Sequence, residues 1–226
     1  ELCVDDLLPD LARRKGGGVG TTQRRESDTP EILSGVFKGV TTGTPISIMF
    51  RNGDVDSSCY EAIKDIYRPG HAQYCYEKKY GIYDYRGGGR ASARETVCRV
   101  AAGAIARKLL QEHGIAVSAQ LEEPSEDLRT IEDEGDSIGG IVVCEARGLP
   151  VGVGEPIYRK LDGEIAAAMM GIPGVKGVEI GAGFRAAAMR GSEGNDAFVI
   201  DGEGGLGMAT NHAGGVLGGI STGEPV

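Results

Sequence analysis

The sequence predicts an α+β protein with antiparallel sheets, and two observations carry that prediction. Strand pairs precede helices in the order α, β, β, α, β, β, α, which favours hairpins over a doubly wound parallel sheet. Glycine is also abundant, 38 of 226 residues, more than twice its usual share of roughly 7%. So many glycines imply numerous loops and close backbone approaches, and hence a site built from loops. The 40% hydrophobic content and the length are enough for a sizeable core. With no internal repeat and no interdomain linker, residues 1–226 are expected to form a single domain.

Residues 4–14 read as a short helix, with Asp5 and Asp6 near its positive end and Leu7, Leu8 and Leu11 as its apolar stripe. It delivers Arg13 and Arg14 to a loop, 15–25, that mixes glycines with Arg24 and Arg25 and serves either to close over an anion or to connect elements. Residues 31–37 and 45–50 are β-branched and aromatic, with the turn material Thr-Thr-Gly-Thr between them, and predict an antiparallel hairpin. Seven of the eight tyrosines fall between Tyr60 and Tyr85. There they pack the loops or line a planar ligand.

Residues 92–112 form the strongest helix pattern: Val97, Val100, Ala101, Ala104, Ile105 and Leu109 recur at helical spacing, and Gly114 supplies the residue after the cap. Residues 115–121 and 138–146 read as strands. The acidic run 122–134 between them reads as a solvated connector. A further helix is expected to open at Glu155 with Pro156 at its first position and to run through Leu161, Ile165 and Met169 to Gly171. Strands at 175–180 and 196–200 follow, and 211–225 reads as a glycine-rich loop region.

Charge and cysteine content limit the function classes. The net charge of −9 argues against general nucleic-acid binding, which needs a basic face to release counterions. The basic clusters are local and suit a small anionic ligand. No apolar run approaches the roughly 20 residues of a membrane span, and no signal-peptide pattern opens the chain. The cysteines Cys3, Cys59, Cys75, Cys98 and Cys144 show no ligand spacing and are expected to be reduced, mostly packed thiols. A reducing, soluble compartment without a membrane partner is therefore expected. The carboxylates Asp136, Glu145, Glu155 and Glu179 are scattered, without His-x-x-x-His or Asp-x-Asp spacing to bring them together as ligands, so no metal is expected.

The residues from Arg68-Pro-Gly-His71 to Tyr85-Arg-Gly-Gly-Gly-Arg90 and Ser92-Ala-Arg-Glu-Thr96 carry the clearest chemistry. Gly87, Gly88 and Gly89 permit positive φ and lead into a helix start, where Ser92 and Glu95 match a capping box. Helix-end amides and the guanidinium groups of Arg86, Arg90 and Arg94 are expected to converge there, which suits phosphates and carboxylates. Of the three histidines, His113 ends a helix and reads as a surface cap. His71 and His212 lie in glycine-rich loops and are candidate acids or electrostatic partners. For His212, a loop hydrogen bond with no catalytic role is the alternative.

Taken together, these motifs resemble the chorismate synthase family. The matching pieces include Thr21-Thr-Gln-Arg-Arg25, Ile32-Leu-Ser-Gly-Val-Phe37, Arg68-Pro-Gly-His-Ala72, Tyr85-Arg-Gly-Gly-Gly-Arg90, Ser92-Ala-Arg-Glu-Thr96, Gly135-Asp-Ser-Ile-Gly139, Val175-Lys-Gly-Val-Glu-Ile-Gly181 and Asn211-His-Ala-Gly-Gly215. They cover most of the chain in family order. The resemblance implies helices sandwiched between antiparallel β-sheets and a homotetramer. The implied activity is a lyase reaction: anti-1,4 elimination of phosphate from 5-enolpyruvylshikimate 3-phosphate to give chorismate, in the shikimate pathway of aromatic amino acid biosynthesis.

The implied cofactor is reduced FMN, used without net redox change, with NADPH as the reductant in those members that reduce their own flavin. By motif matching, His71 stands beside the reduced flavin as the catalytic residue. Arg90, Ala91, Ser92, Pro173, Gly174 and Gly218 contact FMN, and Arg14, Arg68 and Arg94 serve the substrate phosphate and carboxylates. The implied location is the cytoplasm or a plastid.

Several family features have no counterpart here. A Gly-Glu-Ser-His-Gly motif with a second catalytic histidine would precede Glu1, and a closing segment with Lys-Pro-Thr-Ser would follow Val226. The connection at 122–125 is short. Gln73 stands where the family has an acidic residue, Ala91 where it has a serine, and residues 15–20 replace an Arg-Pro-Gly-x-Ser-Arg loop. On this pattern the expected domain is incomplete at both ends. A flavin- or phosphate-binding fragment without turnover is the alternative function.

Overall fold

Leu7 and Leu11 sit one helical turn apart and are 0% and 1% exposed, whereas Leu8, a third of a turn round, is 42% exposed. Leu7 joins a 3₁₀ turn, Val4–Asp6, to helix α1, Leu8–Arg14, which carries Leu11; together they form the expected N-terminal helical segment. The apolar stripe is therefore Leu7 and Leu11, and Leu8 faces away from it. In this computed structural model residues 1–21, 26–53, 56–86, 92–200, 202 and 204–226 are described. The chain divides into two compact units, Glu1–Ala106 with Asp127–Ser137, and Arg107–Glu126 with Ile138–Val226.

In the first unit the expected hairpin is present. Strand β1, Pro30–Ser34, pairs antiparallel with β4, Ser47–Phe50, and a small hairpin of β2, Val36–Phe37, and β3, Val40–Thr41, lies between them. Two short helices follow, α2 at Ser58–Glu61 and α3 at Gln73–Tyr80. A 3₁₀ turn, Ala93–Glu95, then leads into α4, Thr96–Glu112. The core of the unit is Leu2, Leu7, Leu11, Val97 and Ala104, with Ile46, Ile48, Phe50, Val100 and Ile105 packed against it. Val97, Val100, Ala104 and Ile105 all come from the predicted face of α4. Leu109 is exposed.

Three local expectations are corrected. Ser92 does cap the helix start, but its hydroxyl accepts from the amide of Arg94 at 3.2 Å rather than from that of Glu95. The Glu95 carboxylate turns instead to Arg99, at 3.0 Å, one helical turn on. The acidic connector contains a helix, α5, Leu128–Asp133, capped by the Asp127 side chain. All five cysteines are free and exposed, contrary to the expected packing.

In the second unit, β5, Ala116–Leu121, and β6, Val142–Arg147, pair in antiparallel register from Ala116↔Arg147 to Leu121↔Val142. Gly114 ends α4 as predicted: its amide reaches Gln111 O at 3.0 Å and the Ile115 amide reaches Leu110 O at 2.9 Å, the paired bonds of a Schellman ending. Helix α6 spans Leu161–Met170 and starts later than Pro156 suggests. Glu155 and Arg159 exchange both backbone hydrogen bonds, at 2.9 and 2.8 Å, so residues 155–159 close a turn before the helix begins.

Strand β7, Phe198–Ile200, pairs with β8, Leu206–Met208. Residues 175–180 pair with no strand among the described residues. The chain beyond them docks instead through the Ala182 amide on His212 O, at 2.7 Å. The C-terminal glycine-rich region is ordered as a hairpin of β9, Val216–Leu217, and β10, Ile220–Ser221, turned by Gly218 and Gly219 with φ of 61° and 88°. All of these strand pairs are antiparallel, as the α+β class requires. No helix is long and apolar enough to cross a membrane among the described residues.

Candidate active site

Two clusters in the first unit hold the residues expected to serve the substrate. In one, Arg14 from the last turn of α1 and Arg94 from the 3₁₀ turn before α4 meet on Asp28. Arg14 Nη1 lies 2.9 Å from Asp28 Oδ2, and Arg94 Nη1 lies 2.6 Å from Asp28 Oδ1. Asp28 is 2% exposed and adopts a left-handed φ of 52°, a conformation that Asp tolerates better than most residues. That conformation puts its carboxylate between two elements far apart in sequence.

Further hydrogen bonds fix both guanidinium groups. Arg94 Nε donates to Asn52 Oδ1 at 3.0 Å and lies 3.7 Å from Glu26 Oε1. Glu26 also accepts from the Gly53 amide at 2.9 Å. Arg14 donates to Thr96 Oγ1 from Nε and Nη2, at 3.4 and 3.3 Å. Two arginines and two carboxylates thus balance in charge inside the fold, as burial of ionised groups requires. Arg94 Nη2 is buried with no hydrogen-bond partner among the described residues.

The second cluster is local. Gly70, with φ of 71°, turns the chain so that Arg68 and His71 meet: Arg68 Nη2 stands 2.9 Å from His71 Nε2. At the other ring nitrogen the Gln73 amide donates to Nδ1 at 3.1 Å. Gln73 is 4% exposed, and its side-chain amide donates to Lys64 O at 3.1 Å, which anchors the start of α3. The Tyr83 ring meets His71 edge-on with centroids 6.0 Å apart, and Arg68 lies over Tyr60 at 5.4 Å. Partial burial, and then the charge of Arg68, hold the His71 imidazole below its ordinary pKa.

A small hollow beside Arg68 is lined by Tyr60, Lys64, Gln73, Tyr83 and Tyr85. Several of the tyrosines pack against cations, Tyr85 under Lys64, Tyr74 under Lys78 and Tyr80 under Lys79. Arg86 does not join Arg94. It pairs with the exposed Asp84, and its hydrogen bonds hold that carboxyl down at about 2.

In the second unit, Pro173 and Gly174 are exposed in the loop after α6, and Gly218 is exposed in the β9–β10 turn. His212 lies in a loop tied down by Asp196, whose carboxylate accepts from the amides of His212 and Ala213, at 2.7 and 2.8 Å, and from Thr210 Oγ1 at 2.7 Å. Desolvation pushes the Asp196 carboxyl up, but these hydrogen bonds outweigh it and leave the pKa lowered.

Arg90 and Ala91 lie outside the described residues, as do Gly87, Gly88, Gly89, Arg24 and Arg25. Sequence reasoning missed Asp28, Glu26, Asn52 and Thr96. Periodicity carries no signal for a partner 66 residues away from Arg94. The unusual density of arginines was the available clue, because buried guanidinium groups need carboxylates.

The partly exposed Arg14 and the buried Arg94 meet on one carboxylate and Arg68 stands against a histidine, an arrangement suited to an enzyme of anionic small molecules. The family model described as chorismate synthase matches residues 1–127 and 118–226. A chorismate synthase of Archaeoglobus fulgidus is 48% identical over 259 aligned positions, covering 100% of this chain and 72% of its own length. One from Nitratidesulfovibrio vulgaris strain DP4 is 50% identical over 243 positions, covering 95% of this chain and 67% of its own. A solved structure described as a crystal structure of chorismate synthase matches with a TM-score of 0.77 at 30% identity, covering 100% of this chain and 74% of that one. The chain belongs to the chorismate synthase family.

Proposed function

We propose that the protein catalyses the anti-1,4 elimination of phosphate from 5-enolpyruvylshikimate 3-phosphate to give chorismate, as a carbon–oxygen lyase dependent on reduced FMN. Family membership supports the reaction. The observation that carries the reading at the level of the site is the Arg68–His71 pair, a cation beside a titratable ring on one turn. Arg68, half-buried and held at one side by Tyr60, binds a phosphate or carboxylate of the substrate. Arg14 and Arg94 orient the remaining anionic groups. Asp28 holds both in place, and the free Nη2 of Arg94 is one donor available to a ligand.

Residues proposed for the flavin are compatible with it. A Cβ at Gly174 or Gly218 would meet nothing within 4 Å, and both have positive φ, of 90° and 61°, so each presents bare backbone to an open face. Pro173, Gly174 and Gly218 would contact FMN through main-chain groups, and Arg90, Ala91 and Ser92 are proposed as flavin contacts by their motif. When bound, reduced FMN supplies electron density as phosphate leaves and accepts the ring hydrogen. His71 holds or delivers a proton at Nε2, the nitrogen that faces Arg68.

We further propose a homotetramer in the cytoplasm. The assembly is supported by the face of β5–β6 that carries Val117, Leu121 and Val142, which are 41%, 59% and 59% exposed, and by Phe198, Ile200 and Leu206 on β7–β8, all more than 60% exposed. Apolar faces of this kind mark surfaces that another chain covers.

The reaction is tested by incubating the protein anaerobically with 5-enolpyruvylshikimate 3-phosphate and reduced FMN. Chorismate and phosphate are expected in equal amounts while the flavin stays reduced. Binding of both ligands without chorismate would support a flavin- and phosphate-binding role instead.

A further inference from the structure

We propose that Arg68 is a movable positioning residue: resting on Nε2 it keeps the His71 ring from taking up a proton, and an oxyanion that draws Arg68 away frees the ring to do so. The argument is one of hydrogen-bond inventory. A guanidinium group has donors and no acceptor, and a backbone amide can only donate. His71 has one of each against its two nitrogens, Arg68 Nη2 at 2.9 Å from Nε2 and the Gln73 amide at 3.1 Å from Nδ1. A neutral imidazole accepts at one nitrogen and donates at the other, and an imidazolium donates at both. In this arrangement a neutral ring therefore sets one donor against a donor, and a protonated ring sets two.

The two contacts differ in which partner can yield. The Gln73 amide is fixed in backbone at the start of α3, and its side chain is buried and anchored on Lys64 O. Arg68 is a long, half-buried side chain whose further contact is the face of Tyr60. Arg68 is the partner that moves. With Nδ1 accepting from Gln73, a neutral ring carries its proton on Nε2, toward the same point as the guanidinium. An oxyanion seated between them accepts from Nε2–H and from the displaced Arg68; it separates the ring from the guanidinium and sets a negative charge beside it, which favours the second proton, at Nδ1, although the Gln73 amide stays there.

The other charged and titratable groups around the hollow are Lys64, Tyr60, Tyr83 and Tyr85. Glu61 is occupied by Lys64 Nζ at 2.6 Å and Tyr85 Oη at 2.7 Å. Among the described residues, Arg68 is the charge that acts on the ring. By linkage, the anion binds more tightly to the protonated ring by the same factor that it raises the ring's proton affinity. This inference requires neither flavin nor turnover, so its failure and that of the catalytic reading are distinguishable.

The test is ¹⁵N NMR of the histidine rings as pH is varied, with and without sulfate, an oxyanion that does not itself titrate in the range used. His71 is assigned from its loss in His71→Gln. Saturating sulfate is expected to raise the proton affinity of His71 by about tenfold or more, within the range of ordinary couplings, and to leave His113 and His212 unmoved. Arg68→Gln is expected to raise the His71 midpoint without sulfate and to abolish the sulfate response. A wild-type His71 midpoint indifferent to sulfate overturns the proposal, and it does so even if the variant fails to fold. A sulfate response that persists in Arg68→Gln, or that moves all three histidines alike, overturns it too.

Discussion

Asp28 carries Arg14 on one carboxylate oxygen and Arg94 on the other, at 2.9 and 2.6 Å. It joins the first helix of the chain to the start of α4 at a point almost closed to solvent. The arginines that the sequence offers to a substrate are thus first of all part of the fold. They are held in position by an internal carboxylate.

Removing that carboxylate should be costly. Asp28→Ala strands two guanidinium groups, one of them buried, and is expected to destabilise the protein by about 3–5 kcal/mol. Glu31→Gln breaks an exposed pair with Arg51 and should change stability by less than about 1 kcal/mol. Urea denaturation of the two variants checks the contrast. Similar midpoints would mean that the buried pair contributes no more than a surface one.

A similar contrast tests the first helix. Leu7→Ala empties a fully buried position and is expected to cost about 2–5 kcal/mol. Leu8→Ala, at a position 42% exposed, should cost less than about 1 kcal/mol. Thermal unfolding of both variants reads this directly. A larger loss at Leu8 would reverse the assigned face.

Much of this fold was legible in the sequence because its signals are local. The face of α4, its ending at Gly114 and a hairpin within residues 31–50 follow from periodicity and turn chemistry, although the long ladder joins only 30–34 to 47–50 and residues 36–37 pair instead with 40–41. What was misread depended on partners distant in sequence. Residues 175–180 have strand composition but pair with no strand among the described residues, and the chain just beyond them docks on His212 O. Pro156 has the look of a helix start, yet it lies in a turn closed by Glu155 and Arg159. In the site, Arg68 and His71 were legible because they share one turn. Asp28 was not, since nothing nearby in sequence points to it.

Stability should depend on pH through His71. Its folded pKa lies below the unfolded value, burial being the first cause and Arg68 the second. The unfolded chain therefore binds the extra proton first as pH falls. Stability from this group is complete above about pH 6.5, the ordinary histidine value, and is lost as pH falls through the lower folded value. Urea midpoints measured across that range should decline with acidification more steeply in the wild type than in His71→Gln. Parallel declines would remove His71 from the pH response.

The flavin assignment makes a separate prediction for the β9–β10 turn. Gly218→Ala adds a methyl group on an open face at φ of 61°. Strain of roughly 1–2 kcal/mol is expected in the fold, together with a loss of about tenfold or more in affinity for reduced FMN, titrated anaerobically by fluorescence. Unchanged affinity would move the flavin away from this turn.

The most direct measurement is steady-state turnover of His71→Ala with 5-enolpyruvylshikimate 3-phosphate and reduced FMN, alongside the binding of each ligand. Turnover is expected to fall by about 10²–10⁴, the effect of a lost acid–base group, with both ligands still bound and the fold kept. Chorismate formation at the wild-type rate would contradict the role assigned to His71.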